Sequence, residues 1–211
     1  EAAPLVTTTP PECHVFEGPN AGLFRAAGQP VVGVEVRVLD EDDNELPRGE
    51  VGEICVRGPN IMLGYWQQPE LTAEALRGGW MHSGDGGYMD ERGYVFIVDR
   101  MKDMVISGGE NIYSAEVEDA LYQHPAVIEC AVIGIPDERW GEAVHAIVRL
   151  QEGEQASAEE LIAHSHKMIA GFKCPRGIDF VTEPLPLSGA GKILKTELRK
   201  PYWDGKEKQV N

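Results

Sequence analysis

The chain has 211 residues, 24 of them Gly and 14 Pro, with 35 acidic against 19 basic side chains and a formal charge of −16. Its 42% hydrophobic content supports a packed core and excludes wholesale disorder, while the length allows one large domain or two modest ones. No apolar run approaches the roughly 18 residues of a spanning helix, and the acidic excess argues against a nucleic-acid partner.

Residues 1–30 are rich in Pro, Gly and Thr and read as irregular connection. Val31–Leu39 alternates and is β-branched, which predicts a strand. The polar run Asp40–Glu45 then turns the chain into a second strand, Gly52–Val56, so the two form a hairpin with an acidic tip. That tip lacks the ligand spacing and closing Glu of a calcium loop. Tyr94–Val98 is a third short strand.

Helix–strand alternation follows. Ser114 is placed to cap a helix with Glu116 and Glu118 in its first turn and Val117, Ala120 and Leu121 on its buried face. His124-Pro125 ends it. Val127–Ile135 and Ala143–Leu150 read as strands joined by the loop Pro136–Gly141. Ser157 and Glu160 form a capping box for a helix whose inner face is Leu161, Ile162, Ser165, Met168 and Ile169, stopped by Gly171. A strand near Ile178–Val181 and a short helix from Ile193 complete an α+β unit, and the change of character falls near Asp99–Asp103.

Cys13, Cys55, Cys130 and Cys174 are far apart, with no C-x-x-C and no His spacing to complete a metal site; His164 and His166 point to different faces of their helix. Scattered cysteines without an export signal predict reduced thiols and a cytoplasmic protein. The segment Leu185–Lys208 reverses the charge, with six cations against three acids. Such a run is ordinarily a solvated helix face, and it is also a place from which a lysine can reach a phosphate.

Four clusters carry possible chemistry. In His82-Ser83-Gly84-Asp85-Gly86-Gly87, Asp85 reads first as a turn residue, although a carboxylate also suits two vicinal hydroxyls. Asp99-Arg100-Met101-Lys102-Asp103 precedes Ser107-Gly108-Gly109-Glu110-Asn111, where paired glycines permit close approach of a ligand or a moving backbone. Asp137–Glu142 holds Trp140, either a packed anchor or an exposed stacking surface. Pro184–Lys192 is Gly-rich but lacks the P-loop pattern, with Pro186 and Ile193 where Gly and Ser or Thr are required.

Taken in order, S-G-D, D-R-x-K-D, G-G-E-N-I-x-x-x-E-V-E, D-E-x-W-G-E and P-L-x-x-x-G-K closely resemble the adenylate-forming enzymes, the superfamily of acyl-CoA synthetases, luciferases and peptide-synthetase adenylation domains. The resemblance implies that residues 1–99 are the β-rich end of a large N-terminal AMP-binding domain, 100–103 a hinge, and 104–211 a small α+β C-terminal lid. It implies ATP/AMP, Mg2+ and coenzyme A as cofactors, a small carboxylic acid as substrate, and the remaining N-terminal portion of the same enzyme as partner. Residue by residue, it gives Asp85 and Arg100 to the ribose, Asn111 to the nucleotide and Lys192 to adenylation catalysis. Lys102 falls at the hinge, Gly108 and Gly109 with Trp140 at the pantetheine tunnel, and Glu1 at a magnesium-associated acid. Ile169–Arg176 resembles acyl-CoA ligases of the fatty-acid and aryl-acid type, so a fatty acyl-CoA ligase is expected. An aromatic-acid ligase of the coumarate or benzoate type and a non-catalytic lid or binding module are the alternatives. The phosphate loop and acyl pocket belong upstream in that family, so these 211 residues alone are expected to be inactive.

Overall fold

Alternating β-branched residues build the first sheet. In the computed structural model, which describes residues 1–189 and 191–204, the chain divides into two units, Glu1–Lys102 and Asp103–Asn211. Ala190 of the Pro184–Lys192 cluster and the last residues of the basic segment, 205–208, lie outside the described residues.

The first unit contains strands β1 (Thr7–Thr8), β2 (Gln29–Pro30), β3 (Glu35–Leu39) and β4 (Gly52–Arg57), helix α1 (Pro69–Ala75), and strands β5 (Met81–Met89) and β6 (Val95–Arg100). Strands β3 to β6 form an antiparallel meander in chain order. Its packed face holds Val36, Val38, Ile54, Val56, Met81, Met89 and Val95, the period-2 pattern of a half-buried sheet. β3 is shorter than its alternation predicts. Val31–Val34 forms a turn, closed by Val34 N–H to Val31 O at 3.0 Å, and Val32 is fully exposed. The acidic tip is an Asx-type turn in which Asp40 Oδ1 accepts from the amides of Asp42 and Asn44.

Residues 1–30, expected to be irregular, hold the short strands β1 and β2, and α1 and β5 have no expectation behind them either. Helix α1 buries no residue, so it leaves no apolar periodicity to read. The His82–Gly87 cluster lies inside β5 rather than in a turn. Glycines are poor strand formers, but Gly87 has a packing reason: a methyl there would lie 2.2 Å from Phe96 O on β6.

The second unit comprises β7 (Val105–Ser107), β8 (Glu110–Ile112), α2 (Ser114–Tyr122), β9 (Val127–Asp137), β10 (Gly141–Leu150), α3 (Ala158–Ser165), β11 (Gly177–Phe180) and α4 (Lys195–Trp203). β10 pairs antiparallel with β9 along its length, parallel with β11, and with β7 through Gly141 and Ser107. Both faces of the β9–β10 hairpin are buried. Cys130, Val132, Val144, Ala146 and Val148 pack with Val117, Leu121 and Leu161 from α2 and α3. Ala131, Ile133 and Ile147 turn the other way, toward Leu185, Leu198 and Tyr202 of the C-terminal segment and α4. A strand buried on two faces reads as a continuous apolar run, and 127–135 is one.

Local signals are partly redirected. Ser157 caps α3, accepting from Glu160 N at 3.2 Å. Ser114 does not cap α2. Tyr113 is the N-cap, its side chain making no capping bond to the helix, and Ser114 is the first helical residue, fully buried, with Lys195 Nζ donating to its Oγ at 2.6 Å. A largely covered lysine, Lys195, captures the hydroxyl that the sequence assigns to the backbone. α3 ends at Ser165, whose Oγ donates back to Leu161 O; Met168 is exposed and Gly171 opens a 3-10 turn. α4 starts at Lys195 because Ile193 is taken into a bridge with Leu187. All four cysteines are free and buried, and among the described residues no helix is long and apolar enough to cross a membrane.

Candidate functional site

Asp85 and Arg100 face each other across the β5–β6 ladder, and Arg100 Nε lies 2.7 Å from Asp85 Oδ1. The backbone on both sides is held. Asp85 N–H donates to Ser83 Oγ at 3.0 Å, and Arg100 N–H to Asp99 Oδ1 at 2.8 Å. One strand back, Glu53 Oε1 accepts Gly84 N–H at 2.9 Å. The two side chains stay 33% and 48% exposed, so their ion pair is worth only about 0–1 kcal/mol. A polar ligand can replace it at little cost. Side by side, they offer a carboxylate that accepts from paired hydroxyls and a guanidinium that donates.

Lys102 sits exposed in the 3-10 turn Met101–Asp103, as the last residue of the first unit. Glu1 is exposed at the other end, its carbonyl accepting Met62 N–H at 2.9 Å. Among the described residues, Glu1 belongs to no group of three or more His, Cys, Asp or Glu ligands. A single carboxylate fits Mg2+ only where phosphates and water complete the octahedron.

In the second unit, β7 and β8 form a tight hairpin. Ser107 pairs with Glu110, and the two-residue loop Gly108-Gly109 has φ of 63° and 84°, as a type I′ connection requires. Gly108 N–H donates to Trp140 O at 2.8 Å, and a methyl on Gly108 would lie 2.6 Å from Trp140 Cε3. Trp140 is therefore a half-buried anchor, not an exposed stacking surface. Asp137 Oδ1 accepts its amide at 2.9 Å, and the guanidiniums of Arg139 and Arg176 lie 4.5 and 4.9 Å from its ring centroid. Buried Glu142 accepts Ile106 N–H at 3.0 Å and so fixes β7. Asn111 is exposed on β8, opposite Ile106.

Lys192 is exposed at the end of a closed turn. Ser188 N–H donates to Lys192 O at 2.7 Å, Gly191 N–H to Ser188 O at 2.8 Å, and Lys192 N–H to Ser188 Oγ at 3.1 Å. α4, which follows, is pinned. Lys195 Nζ lies 2.6 Å from Glu118 Oε1, with side chains 12% and 17% exposed, and Arg199 pairs with Asp103 at 3.1 Å. Trp203 Nε1 donates to Gly134 O at 3.0 Å. Tyr202 donates to Asp179, which also lies 3.2 Å from His145 Nε2. The Tyr202 bond and then His145 hold the Asp179 carboxyl below its usual range, while burial and Asp179 push the Tyr202 hydroxyl up to about 12.

The structure thus brings Asp85 to Arg100, and Gly108 to Trp140. Glu53, Lys195 and Arg199, which help hold these parts, stand in none of the motifs, and the pairings of Lys195 with Glu118 and of Arg199 with Asp103 join positions remote in sequence. Only the charge reversal after Leu185 signals that acidic partners await it.

Residues 1–66 match the AMP-binding enzyme family and residues 116–192 its C-terminal domain family. The fatty acid–[acyl-carrier-protein] ligase ScoC of Streptomyces coeruleorubidus is 46% identical over 96% of this chain and 38% of its own length. A feruloyl-CoA synthase of an Amycolatopsis species is 51% identical over 96% of this chain and 40% of its own. Among solved structures, o-succinylbenzoate CoA synthetase (MenE) from Bacillus subtilis, in complex with the acyl-adenylate intermediate OSB-AMP, superposes with a TM-score of 0.81 at 35% identity, covering 92% of this chain and 38% of that one. The chain therefore spans about two-fifths of the length of the relatives it matches. With both parts matched in order and the α+β architecture shared, the chain belongs to the AMP-binding, adenylate-forming enzyme family.

Proposed function

We propose that this chain contributes the ribose-contacting end of the AMP-binding domain, residues 1–99, a hinge at 100–103 and the lid, 104–211, to an ATP-dependent acid–thiol ligase. The observation that carries the reading is the Asp85–Arg100 pair, an acceptor and a donor presented together on an exposed sheet face. In the proposed reaction, a carboxylate oxygen bonds to the α-phosphorus of ATP and pyrophosphate leaves. A thiol sulfur then bonds to the acyl carbon, its proton passing to solvent, and AMP leaves. Asp85 accepts from the ribose hydroxyls and Arg100, released from the ion pair, donates to the same sugar. Asn111 adds a polar contact to the nucleotide. Lys192 neutralises charge gathering between the attacking carboxylate and the α-phosphate, stabilisation that is largest in the transition state. Glu1 would help hold Mg2+, which would supply further charge neutralisation on the phosphates.

Torsions at Lys102 carry the lid rotation between the half-reactions. The Gly108-Gly109 loop, with no side chain to narrow a tunnel and Trp140 behind it, lines the path of the pantetheine arm. A fatty acid is the proposed substrate and coenzyme A the proposed acceptor, in a cytoplasmic enzyme whose free, buried thiols suit a reducing compartment. An aromatic acid is the second reading, favoured by the 51% identity to a feruloyl-CoA synthase. The 211 residues alone are proposed to be inactive, since the phosphate loop of the family is not among them.

The test is Asp85→Ala in an enzyme completed upstream by the matching portion of a related ligase. Losing a hydrogen bond to a charged group predicts a rise in KM for ATP of about 10–100-fold. An unchanged KM overturns the ribose assignment.

A further inference from the structure

Behind the strand that presents Asp85 lies a second cluster of donors with no part in the proposed reaction. Glu53 and Cys55, two apart on β4, project with His82 of β5, the direct cross-strand partner of Cys55. His82 Nδ1 is 2.8 Å from Glu53 Oε2 and 3.3 Å from Cys55 Sγ, and the three ligand atoms all lie within 4.8 Å of one another. Leu39 and Trp80 pack on Cys55 and wall the cluster on its apolar side. The His82 side chain is only 4% exposed, yet its Nε2 has no hydrogen-bond partner. Asp43 Oδ1 waits 3.8 Å from that nitrogen.

We propose that Glu53, Cys55 and His82 bind a divalent zinc-class cation that ties β4 to β5 beneath Asp85. Bonds of about 2.0 Å to N and O and about 2.3 Å to S place neighbouring tetrahedral ligands about 3.3–3.6 Å apart, which asks for an opening of roughly half an ångström between Glu53 and His82. Three protein ligands leave a fourth position for water. Binding moves protons in a balanced way. The Cys55 thiol proton leaves to solvent as the sulfur–metal bond forms, and the imidazole proton sits on Nε2 once Nδ1 holds the metal. That N–H then points at Asp43, the carboxylate partner that metal-bound histidines ordinarily have. The orphan nitrogen of the metal-free protein is thereby satisfied.

Charge also closes. Arg77, 3.4 Å from Glu53 and 3.2 Å from Asp43, opposes a cation at close range. Against Glu53, Asp43 and a thiolate, however, Arg77 and one dication bring the cluster to zero. Glu53 keeps its hold on Gly84 N–H through the other oxygen, so the ion rigidifies the strand segment that carries Asp85. The sequence hides this site, because its spacing exists only across the ladder between β4 and β5.

The experiment titrates Co2+ into the reduced, metal-free 211-residue chain, with no nucleotide and no reliance on ligase activity. One equivalent binds with a near-ultraviolet sulfur-to-cobalt charge-transfer band, and Zn2+ displaces it. The band disappears in Cys55→Ser and persists in Cys130→Ser, and Asp43→Asn weakens binding by about 10–100-fold. Should Cys55→Ser fail to fold, nitrogen NMR of the wild-type chain decides, since zinc shifts the His82 Nδ1 resonance. A wild-type chain without the band, a band that survives in Cys55→Ser, or a His82 signal unmoved by zinc overturns the proposal and leaves His82 as an ordinary histidine between two carboxylates.

Discussion

At the scale of single residues, Gly108 carries the sharpest constraint in the second unit. Its φ of 63° disfavours any residue with a Cβ, and the added methyl would meet the Trp140 ring at 2.6 Å. Gly108→Ala should therefore destabilise the second unit by about 1–3 kcal/mol, read as a lower urea midpoint, with Trp140 fluorescence shifted to the red as the ring loses its seat. A midpoint equal to the parent's would show that the loop has no such packing role. The paired glycines were legible as a place of special backbone. The residues alone left Trp140 open between a packed anchor and a stacking surface, because its partner in the contact lies 32 positions away; only the resemblance set the two together. Asp85 shows the same limit: its chemistry was readable, while the strand beneath it was masked by Gly84, Gly86 and Gly87.

At the scale of elements, α4 is held by charge more than by apolar burial, for it has no fully buried residue. Lys195 reaches both Glu118 and Ser114, and Glu118 also accepts Val132 N–H at 2.7 Å. The Lys195 and Glu118 side chains are 12% and 17% exposed, and removing one partner of a largely buried pair strands the other. Lys195→Met should cost about 3 kcal/mol, the lower end for such a loss because the Val132 bond to Glu118 remains. Differential denaturation of the parent and variant chains measures it, and a cost under about 0.5 kcal/mol would show the pair to be a solvated contact.

The β9–β10 hairpin adds a pH dependence. The Arg149 hydrogen bond, with Leu185 N–H in support, holds the Glu129 carboxyl below its ordinary value. The folded chain thus takes up that proton less readily than the unfolded one. The stabilisation is complete above the ordinary carboxylate pKa of about 4.3 and fades as pH falls through the lowered folded value. Glu129→Gln should flatten the acid limb of the stability curve without changing its shape above neutrality; an acid limb as steep as the parent's would exclude Glu129. The long strands and the Ser157 cap were readable here because periodicity and a local cap leave marks within a few residues. Ser114 misled because the partner that takes its hydroxyl, Lys195, is 81 residues away.

At the scale of the whole molecule, motif order carries more than any single motif. Asp85, Lys102, Gly108 and Lys192 are each unremarkable alone; their order along the chain carries the resemblance, while the family matches fall on residues 1–66 and 116–192, on either side of Asp85, Lys102 and Gly108. The division at Lys102 and Asp103 puts Asp85 and Arg100 in one unit and Lys192 and the Gly108-Gly109 loop in the other. Within that second unit, the proposed reaction gives Lys192 to adenylation and the glycine loop to thioester formation. The most direct measurement uses a ligase completed upstream of this chain and compares Lys192→Ala with its parent in two assays. Acid-dependent ATP–pyrophosphate exchange should fall by about 10²–10³-fold, the cost of removing one preorganised charge from a transition state, while thioester formation from supplied acyl-AMP stays within about threefold of the parent. An equal loss in both assays would contradict the division of labour between Lys192 and the glycine loop.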